Sequence, residues 1–327
     1  MTRELIVHDK AWPLARPFAI SRGTKTEAGV VVAEINDGDA LGRGECVPYA
    51  RYDETVHGVS EQIKGQTGAV AFGLDGFGLT ERLPAGAARN ALDAALWDLQ
   101  AKMTGQRVWE LTDLPAPEPQ VTATTIGIGT IDEMAAQAAE LAASPLIKVK
   151  LDAVDVMARM EAVRAGAPDA RLIIDPNEGW SLDMLADFAP KLARLGVEMI
   201  EQPVPAGDDA GLVDYESPVP ICADEACHTV VDLPELVGKY QMINIKLDKT
   251  GGLTEALFLA RAAETIGMKI MVGCMVATSL AMAPAILLGH MAEFLDLDGP
   301  LLLKDDRPDG LKFENGLIHP PTPALWG

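Results

Sequence analysis

Five short apolar runs in the middle of the chain each stop at a charged side chain. LIKVK ends at Lys150, RLIID at Asp175, VEMIE at Glu201, PICAD at Asp224 and MINIK at Lys246. The intervals between these residues are 25, 26, 23 and 22, so one structural unit repeats at nearly constant length. A strand buried on both faces should carry no charge. Charges recurring at the ends of five consecutive runs point to a site rather than to packing.

The intervals carry helical patterns. Strand candidates at 120–127, 146–151, 171–175, 198–201, 219–224, 241–247, 269–274 and 293–298 alternate with amphipathic segments such as 134–143, 156–165, 182–195 and 253–266. Eight β units with helices between most of them predict an α/β fold, a parallel (β/α) barrel of the TIM type. The rival is an open doubly wound sheet, but neither GxGxxG nor GxxxxGK[ST] occurs. Upstream, PAPEP at 115–119 interrupts helix and strand alike and marks a domain boundary. Residues 3–48 alternate like strands, with a hairpin turning at Asp37-Gly38-Asp39. AISRGTKTEAG, which holds Arg22 and Lys25, reads as a polar, mobile loop, and YARYDET as a second loop. Ala88, Ala91, Leu92, Ala95, Leu96 and Leu99 form one face of a long helix that Gly105 stops. Residues 299–327, rich in Gly and Pro, are expected to leave the barrel and rejoin the N-terminal part.

In a β/α barrel the strand ends face one mouth. Asp175, Glu201 and Asp224 end three successive strands and should converge there. Three convergent carboxylates repel unless a cation joins them, and an all-oxygen set suits Mg²⁺; the alternative is that each caps a helix or pairs with a lysine. Lys148 and Lys150 share one strand face. That face is the inner one, because Ile147 and Val149 supply the apolar, helix-facing pair. A lysine crowded by a cation or another lysine should have a lowered pKa and act as a base. With Lys148 and Lys150 on one side and Lys246 on the other, two lysines on opposite faces of a planar intermediate could remove and return one proton and so invert a stereocentre beside a carboxylate. Asp296 and Asp298 either bind a substrate ammonium or belong to a solvated turn. Arg22 is either a surface charge or a ligand for an anionic group.

Composition narrows the partners. A charge of −21 over 327 residues argues against nucleic acid and anionic membrane. No run is long enough to span a bilayer, and the N-terminus lacks a signal-peptide pattern. Cys46, Cys222, Cys227 and Cys274 are scattered without a metal-type spacing, as expected of reduced thiols in a cytoplasmic protein.

KVK at 148–150, DPNEGW at 175–180, EQP at 201–203, ADE at 223–225, NIKLDKTGGLTEAL at 244–257 and DLDGP at 296–300 resemble the enolase superfamily. Together with AWPLARPF, GECVPYARY and PAGAARNALDAALWDL they are similar to the L-Ala-D/L-Glu dipeptide epimerases of its muconate-lactonizing-enzyme-like branch, over nearly the whole chain. The resemblance implies an α+β capping domain over 1–113, a modified barrel over 114–298 and a C-terminal segment, 299–327, returning to the cap. It implies one Mg²⁺ per subunit on Asp175, Glu201 and Asp224, with Lys150 and Lys246 as the acid/base pair. Lys148 joins them in binding substrate, Asp296 and Asp298 take the dipeptide's amino group, and Arg22 takes the side-chain carboxylate. Pro176 stands where relatives often carry Ala. The implied reaction is epimerisation of a small acidic dipeptide in murein-peptide breakdown, by a protein that could form homo-oligomers. Rivals are N-acylamino-acid racemisation, o-succinylbenzoate synthesis or cycloisomerisation through the same enediolate. Outside that chemistry stand a Schiff-base lysine aldolase and a non-catalytic cation- or solute-binding barrel.

Overall fold

The computed structural model describes residues 2–327. The N-terminal part comprises β1 (Glu4–Ile20), β2 (Gly23–Asp37), β3 (Ala40–Cys46), α1 (Val56–Lys64), α2 (Thr67–Ala71), α3 (Gly76–Arg82), α4 (Ala87–Thr104) and α5 (Val108–Leu111). Its three strands form an antiparallel sheet in the order β1-β2-β3. The Gly38-Asp39 turn falls where the sequence puts it: Asp37 pairs with Ala40, and Gly38 takes φ +63. Residues 18–25 differ from expectation. Phe18, Ala19 and Ile20 pair with Lys25, Thr24 and Gly23, so the stretch is a hairpin tip and not a mobile loop. A backbone ladder pairs polar residues as readily as apolar ones, which is why composition hid it. Helix α4 lies directly on this sheet; a Cβ at Gly44 would sit 2.1 Å from the Ala91 carbonyl oxygen, so only glycine permits the approach.

The rest of the chain begins with β4 (Gln120–Val121), β5 (Thr124–Ile126), α6 (Ile131–Glu140), β6 (Leu146–Lys150), α7 (Val156–Gly166), β7 (Arg171–Asp175), α8 (Leu182–Arg194) and β8 (Val197–Glu201). It continues with β9 (Ile221–Ala223), α9 (Leu233–Leu236), β10 (Met242–Ile245), α10 (Leu247–Thr250), α11 (Leu253–Thr265), β11 (Lys269–Gly273), α12 (Ser279–Met282), β12 (Phe294–Asp296), β13 (Phe313–Glu314) and β14 (Leu317–Ile318). Strands β5 to β12 form one eight-stranded parallel sheet in chain order. The backbone N–H of Ala123 donates to Leu295 O at 2.7 Å and joins the first strand region to the last. The fold is thus the expected TIM-type barrel. Two of its connections are irregular: a 3₁₀ turn at Ala210–Asp214 replaces the helix between β8 and β9, and only α12 and a 3₁₀ segment link β11 to β12.

Why these strands end in charges follows from their interior packing. Ala123, Leu146, Ile173, Met199, Cys222, Met242, Met271 and Phe294 form one apolar cluster, with one residue from each strand position. They plug the barrel. Side chains alternate with period two, so the next inward residues are Thr125, Lys148, Asp175, Glu201, Asp224, Asn244, Gly273 and Asp296. One step along each strand turns an apolar plug into a polar mouth, while Ile147 and Val149 pack outward in the helix-facing core.

Buried polar contacts fasten the N-terminal part to the barrel. Asp93 accepts from Thr254 N at 3.1 Å, Asp248 from Val47 N at 3.0 Å, and Arg89 donates to Thr250 O at 2.7 Å. The C-terminal segment follows the same route: β14 pairs with β4, and Trp326 Nε1 donates to Ala94 O at 2.9 Å. Burial pushes the Asp93 carboxyl up to about 6, even though Thr254 donates to it. A carboxyl whose folded pKa lies above its unfolded value of about 3.9 stabilises the fold fully at low pH. That contribution is lost as pH rises through 6, and it amounts to about 3 kcal/mol. Asp93→Asn removes the titration. Urea-derived stability should therefore fall less between pH 4 and 7 in the variant than in the parent; parallel curves would refute the assignment.

Candidate active site

Lysines and carboxylates interleave above the apolar plug. Lys148 Nζ lies 2.5 Å from Glu201 Oε2, 2.6 Å from Asp296 Oδ2 and 3.4 Å from Asp175 Oδ2. Lys150 Nζ contacts Asp175 Oδ2. Lys246 Nζ is 2.6 Å from Asp224 Oδ2 and 3.7 Å from Glu201 Oε1. Lys249, which the sequence reading did not select, lies 2.7 Å from Asp224 Oδ1. All eight side chains are buried. The structure thus brings together the predicted Lys148, Lys150, Asp175, Glu201, Asp224, Lys246 and Asp296. Lys249 was legible in KLDK: three residues after Lys246 on a short helix, it returns to the same side.

The electrostatics follow from these neighbours. Burial opposes ionisation of Asp175, but the charges of Lys150 and Lys148 outweigh it and hold the carboxyl down at about 2. Asp224 is likewise held well below the usual range: burial opposes, and Lys246 and Lys249 prevail. Glu201 moves the other way, pushed up to about 7 by burial and then by the charge of Asp175. Burial works against the Lys148 and Lys246 ammonium groups, yet the carboxylates around them raise both well above the ordinary lysine value. This corrects the expectation of lowered lysine pKa values. The nearest neighbours are anions, and they keep these lysines protonated.

A cavity of about 490 Å³ opens above this network, lined by Lys150, Asp224 and Lys246 from the barrel and by Arg22, Lys25 and Tyr52 from the N-terminal part. A larger one, about 580 Å³, lies between α4 and α11, but its wall is apolar and holds no lysine–carboxylate set. The chemistry belongs to the smaller. Arg22 reaches its rim already partnered: Nη2 is 2.8 Å from Glu225 Oε1, and Nη1 donates to Asn177 O at 3.1 Å and lies 3.3 Å from Glu178 Oε2. Arg51 makes a two-pronged contact with Glu178 at 2.9 and 3.0 Å. Lys25 differs, since among the described residues its ammonium has no carboxylate partner. It lies 5.1 Å from the Tyr49 ring centre, and burial, then the charge of Arg22, lowers its pKa. Asp298 is also held apart from the lysines. Its Oδ2 accepts from Thr125 N at 2.7 Å, and burial, then Asp296, pushes it up to about 7. Asp296 Oδ1 is buried without a hydrogen bond.

Among the described residues, no three acidic or metal-ligating side chains are gathered as an ion would hold them, because Lys148, Lys150 and Lys246 lie between the carboxylates. The donor chemistry nonetheless fits a hard divalent cation. Asp175, Glu201 and Asp224 offer only oxygen from three adjacent strand ends. Glu201 Oε2 is buried and lies 2.5 Å from the Lys148 ammonium, its ion-pair partner.

Comparison with known proteins agrees with this architecture. Residues 2–112 match the mandelate racemase/muconate lactonizing enzyme N-terminal domain, and residues 133–324 the enolase C-terminal domain-like family. The chain therefore belongs to the enolase superfamily, in its mandelate racemase/muconate lactonizing enzyme group. It is 49% identical over 319 residues to the L-Ala-D/L-Glu epimerase of Escherichia coli strain K12, covering 97% of this chain and 99% of that one. It is 46% identical over 300 residues to an N-acetyl-D-glutamate racemase of Pseudoalteromonas sp, covering 91% and 95%. Among solved structures, an Agrobacterium tumefaciens enolase family member with homology to dipeptide epimerases, with bound sodium and L-Ala-L-Glu, superposes with TM-score 0.97 at 51% identity, covering 99% and 100%. A Methylococcus capsulatus dipeptide epimerase complexed with Mg and L-Arg-D-Lys gives 0.92 at 31%, covering 100% and 99%.

Lys148 is the hub of the buried network. Lys148→Met leaves Asp175, Glu201 and Asp296 facing one another without a shared cation. Removing one member of such a buried set costs about 3–5 kcal/mol. Urea unfolding at neutral pH should register a loss of that size, and a loss below 1 kcal/mol would mean the carboxylates are solvated or protonated instead.

Proposed function

We propose that this protein is a Mg²⁺-dependent dipeptide epimerase that moves a proton at the α-carbon of the C-terminal residue, with L-Ala-L-Glu and L-Ala-D-Glu as the preferred pair. One observation carries the reading: Lys150 and Lys246 line one cavity from the two ends of an arc of strands whose intervening members carry Asp175, Glu201 and Asp224. A planar carbanion between them presents one face to each ammonium, so either lysine can take or return the proton. Bound Mg²⁺ supplies positive charge beside the substrate carboxylate and so makes the α-proton more acidic. The lysines need a route to the neutral form, and their partners provide it. Whatever draws Asp224 away from Lys246, or Asp175 away from Lys150, removes a charge that favours the protonated ammonium.

Asp296 and Asp298 bind the dipeptide's amino group, using the unpartnered Asp296 Oδ1. The side-chain carboxylate is held at the rim. Arg22, assigned that role from the sequence, is already engaged by Glu225 and Glu178, and the free cation beside it is Lys25. The two act together there. Residues 1–113 serve as the cap, 114–298 as the catalytic barrel and 299–327 as the returning segment. A cytoplasmic location and a role in murein-peptide breakdown fit this substrate; among the described residues no helix is long and apolar enough to cross a membrane. The 46% identity to an N-acetyl-D-glutamate racemase favours one second reading, racemisation of N-acetylated glutamate. That substrate has no ammonium for Asp296.

Proton NMR in deuterated water, with Mg²⁺ and then with EDTA, tests the reaction. L-Ala-L-Glu should lose its Glu α-proton signal while the other diastereomer appears, and EDTA should stop both. Lys150→Ala and Lys246→Ala should each abolish epimerisation. Faster exchange of N-acetylglutamate than of the dipeptide would favour the second reading, and no exchange of either would end both. A separate comparison concerns the rim. Lys25→Met should lower kcat/KM for L-Ala-L-Glu by about 10- to 100-fold, the worth of one charge-assisted hydrogen bond, with little change for L-Ala-L-Gln. Equal losses on both substrates would remove Lys25 from side-chain recognition.

A further inference from the structure

Each of the three proposed metal-binding carboxylates has one oxygen tied to a fixed protein donor. Asp175 Oδ1 accepts from the backbone N–H of Asn177 at 2.8 Å. Glu201 Oε1 accepts from Asn244 Nδ2 at 2.7 Å. Asp224 Oδ1 accepts from Lys249 Nζ at 2.7 Å. The other oxygens, Asp175 Oδ2, Glu201 Oε2 and Asp224 Oδ2, are the ones nearest Lys150, Lys148 and Lys246. Asp175 is held less cleanly than its two neighbours, because Asn177 Nδ2 also reaches Oδ2 at 3.1 Å.

Lys249 differs in kind from the other lysines. It is fully buried, and besides Asp224 Oδ1 it donates to the carbonyl oxygens of Asp224 and of Asn244, the latter at 3.0 Å. An ammonium has three protons, and these three acceptors use all of them. Asn244 is similarly confined. A Cβ on Gly273 would come within 2.7 Å of its amide, so the glycine at the end of β11 leaves the room in which that amide reaches Glu201. An N–H donor is the only amide orientation that a carboxylate oxygen at this distance accepts.

We infer that Asn244 and Lys249, with the Asn177 backbone, are positioning residues that engage one oxygen of each carboxylate and so turn the other toward a cation. The inference rests on the Mg²⁺ reading above and adds a reason for metal selectivity. Ca²⁺ readily takes both oxygens of a carboxylate at longer distances, whereas Mg²⁺ is smaller and binds few carboxylates while keeping other positions for water and substrate. Tying down one oxygen disfavours the two-oxygen mode and so favours the smaller ion. Neither residue is a proton carrier: Asn244 does not titrate, and every proton of Lys249 is engaged.

Metal binding without substrate tests this apart from turnover. Free Mn²⁺ measured by electron paramagnetic resonance, with Ca²⁺ as competitor, gives affinity and preference for the parent, Asn244→Leu, Lys249→Met and Gly273→Ala. Partners of this kind set metal affinity by about 10- to 100-fold. Asn244→Leu and Lys249→Met should weaken Mn²⁺ binding by that factor and shrink the preference for Mn²⁺ over Ca²⁺, with circular dichroism unchanged. Gly273→Ala, which displaces the Asn244 amide without altering Asn244, should do the same to a smaller degree. A merely structural role would not move the ion preference. If Lys249→Met fails to fold, Asn244→Leu and Gly273→Ala decide the matter. Folded variants with the parental Mn²⁺ affinity and preference would overturn the inference and leave the metal reading intact. A parent that binds no Mn²⁺ would overturn both.

Discussion

Burying eight ionisable side chains in one barrel mouth is the constraint that organises the surrounding protein. Each ion taken out of water costs several kcal/mol even after relaxation. Only close, well-directed contacts with opposite charges can offset that. Lys148, Lys150, Lys246 and Lys249 supply four positive charges, and Asp175, Glu201, Asp224 and Asp296 four carboxyls. The set balances. Glu225 and Asp298, the acids beside it, are both pushed up to about 7, by burial first and then by the charges of Asp224 and Asp296 respectively. A cluster of this kind tolerates little positional freedom. Its members therefore sit on or just beyond parallel strands, above a plug of apolar side chains that fixes the height of each strand. The chain's net charge of −21 is carried outside this balanced set.

The N-terminal part completes the site, and the barrel in turn fixes the N-terminal part. Asn177 and Glu178 follow β7 with φ values of +47 and +65, a conformation that side-chain-bearing residues seldom adopt. Two consecutive residues in this region store strain, which persists only where neighbouring contacts enforce it. Those contacts are present. Ser21 Oγ and Arg22 donate to the Asn177 carbonyl, Arg51 grips the Glu178 carboxylate, and Ala206 N donates to Glu178 Oε1 at 2.9 Å. The hairpin tip and the turn at Ala50–Tyr52 thus both meet the barrel at Glu178, and Arg22 of the tip also pairs with Glu225. Arg51 is committed to that junction, while Arg22 and Lys25 both line the cavity rim, and among the described residues Lys25 has no carboxylate partner.

Much of this was legible in the sequence because one rule, period-two alternation, governs both the fold and the site. A strand that reads Leu146, Lys148, Lys150 on one face and Ile147, Val149 on the other announces its orientation and its purpose together. The same rule applied to MINIK would have selected Asn244 two residues before Lys246, and a helical offset would have selected Lys249. Both were passed over because an amide and a second lysine carry no distinct signal without their partners, Glu201 and Asp224, which lie 43 and 25 residues away. The lysine pKa values were misread for a related reason. Sequence placed the lysines near one another, but distance decides the sign of the shift, and the nearest charges are carboxylates. The hairpin tip was hidden because its register comes from backbone pairing, to which side-chain polarity is blind.

A balanced buried network also constrains how the site can change. A divalent cation introduced alone among four lysines and four carboxylates would leave surplus positive charge in a low-dielectric space, where it is costly. Arriving with a ligand whose carboxylates outnumber its ammonium, it leaves the set closer to neutral. The carboxylate oxygens that such a cation would engage are the ones now facing Lys150, Lys148 and Lys246, while the opposite oxygens stay with Asn177, Asn244 and Lys249. On the proposed reading such a cation would compete with Lys150, Lys148 and Lys246 for those oxygens and would leave the anchoring donors in place. Without such a cation, the carboxylates around Lys148 and Lys246 favour the protonated forms of both.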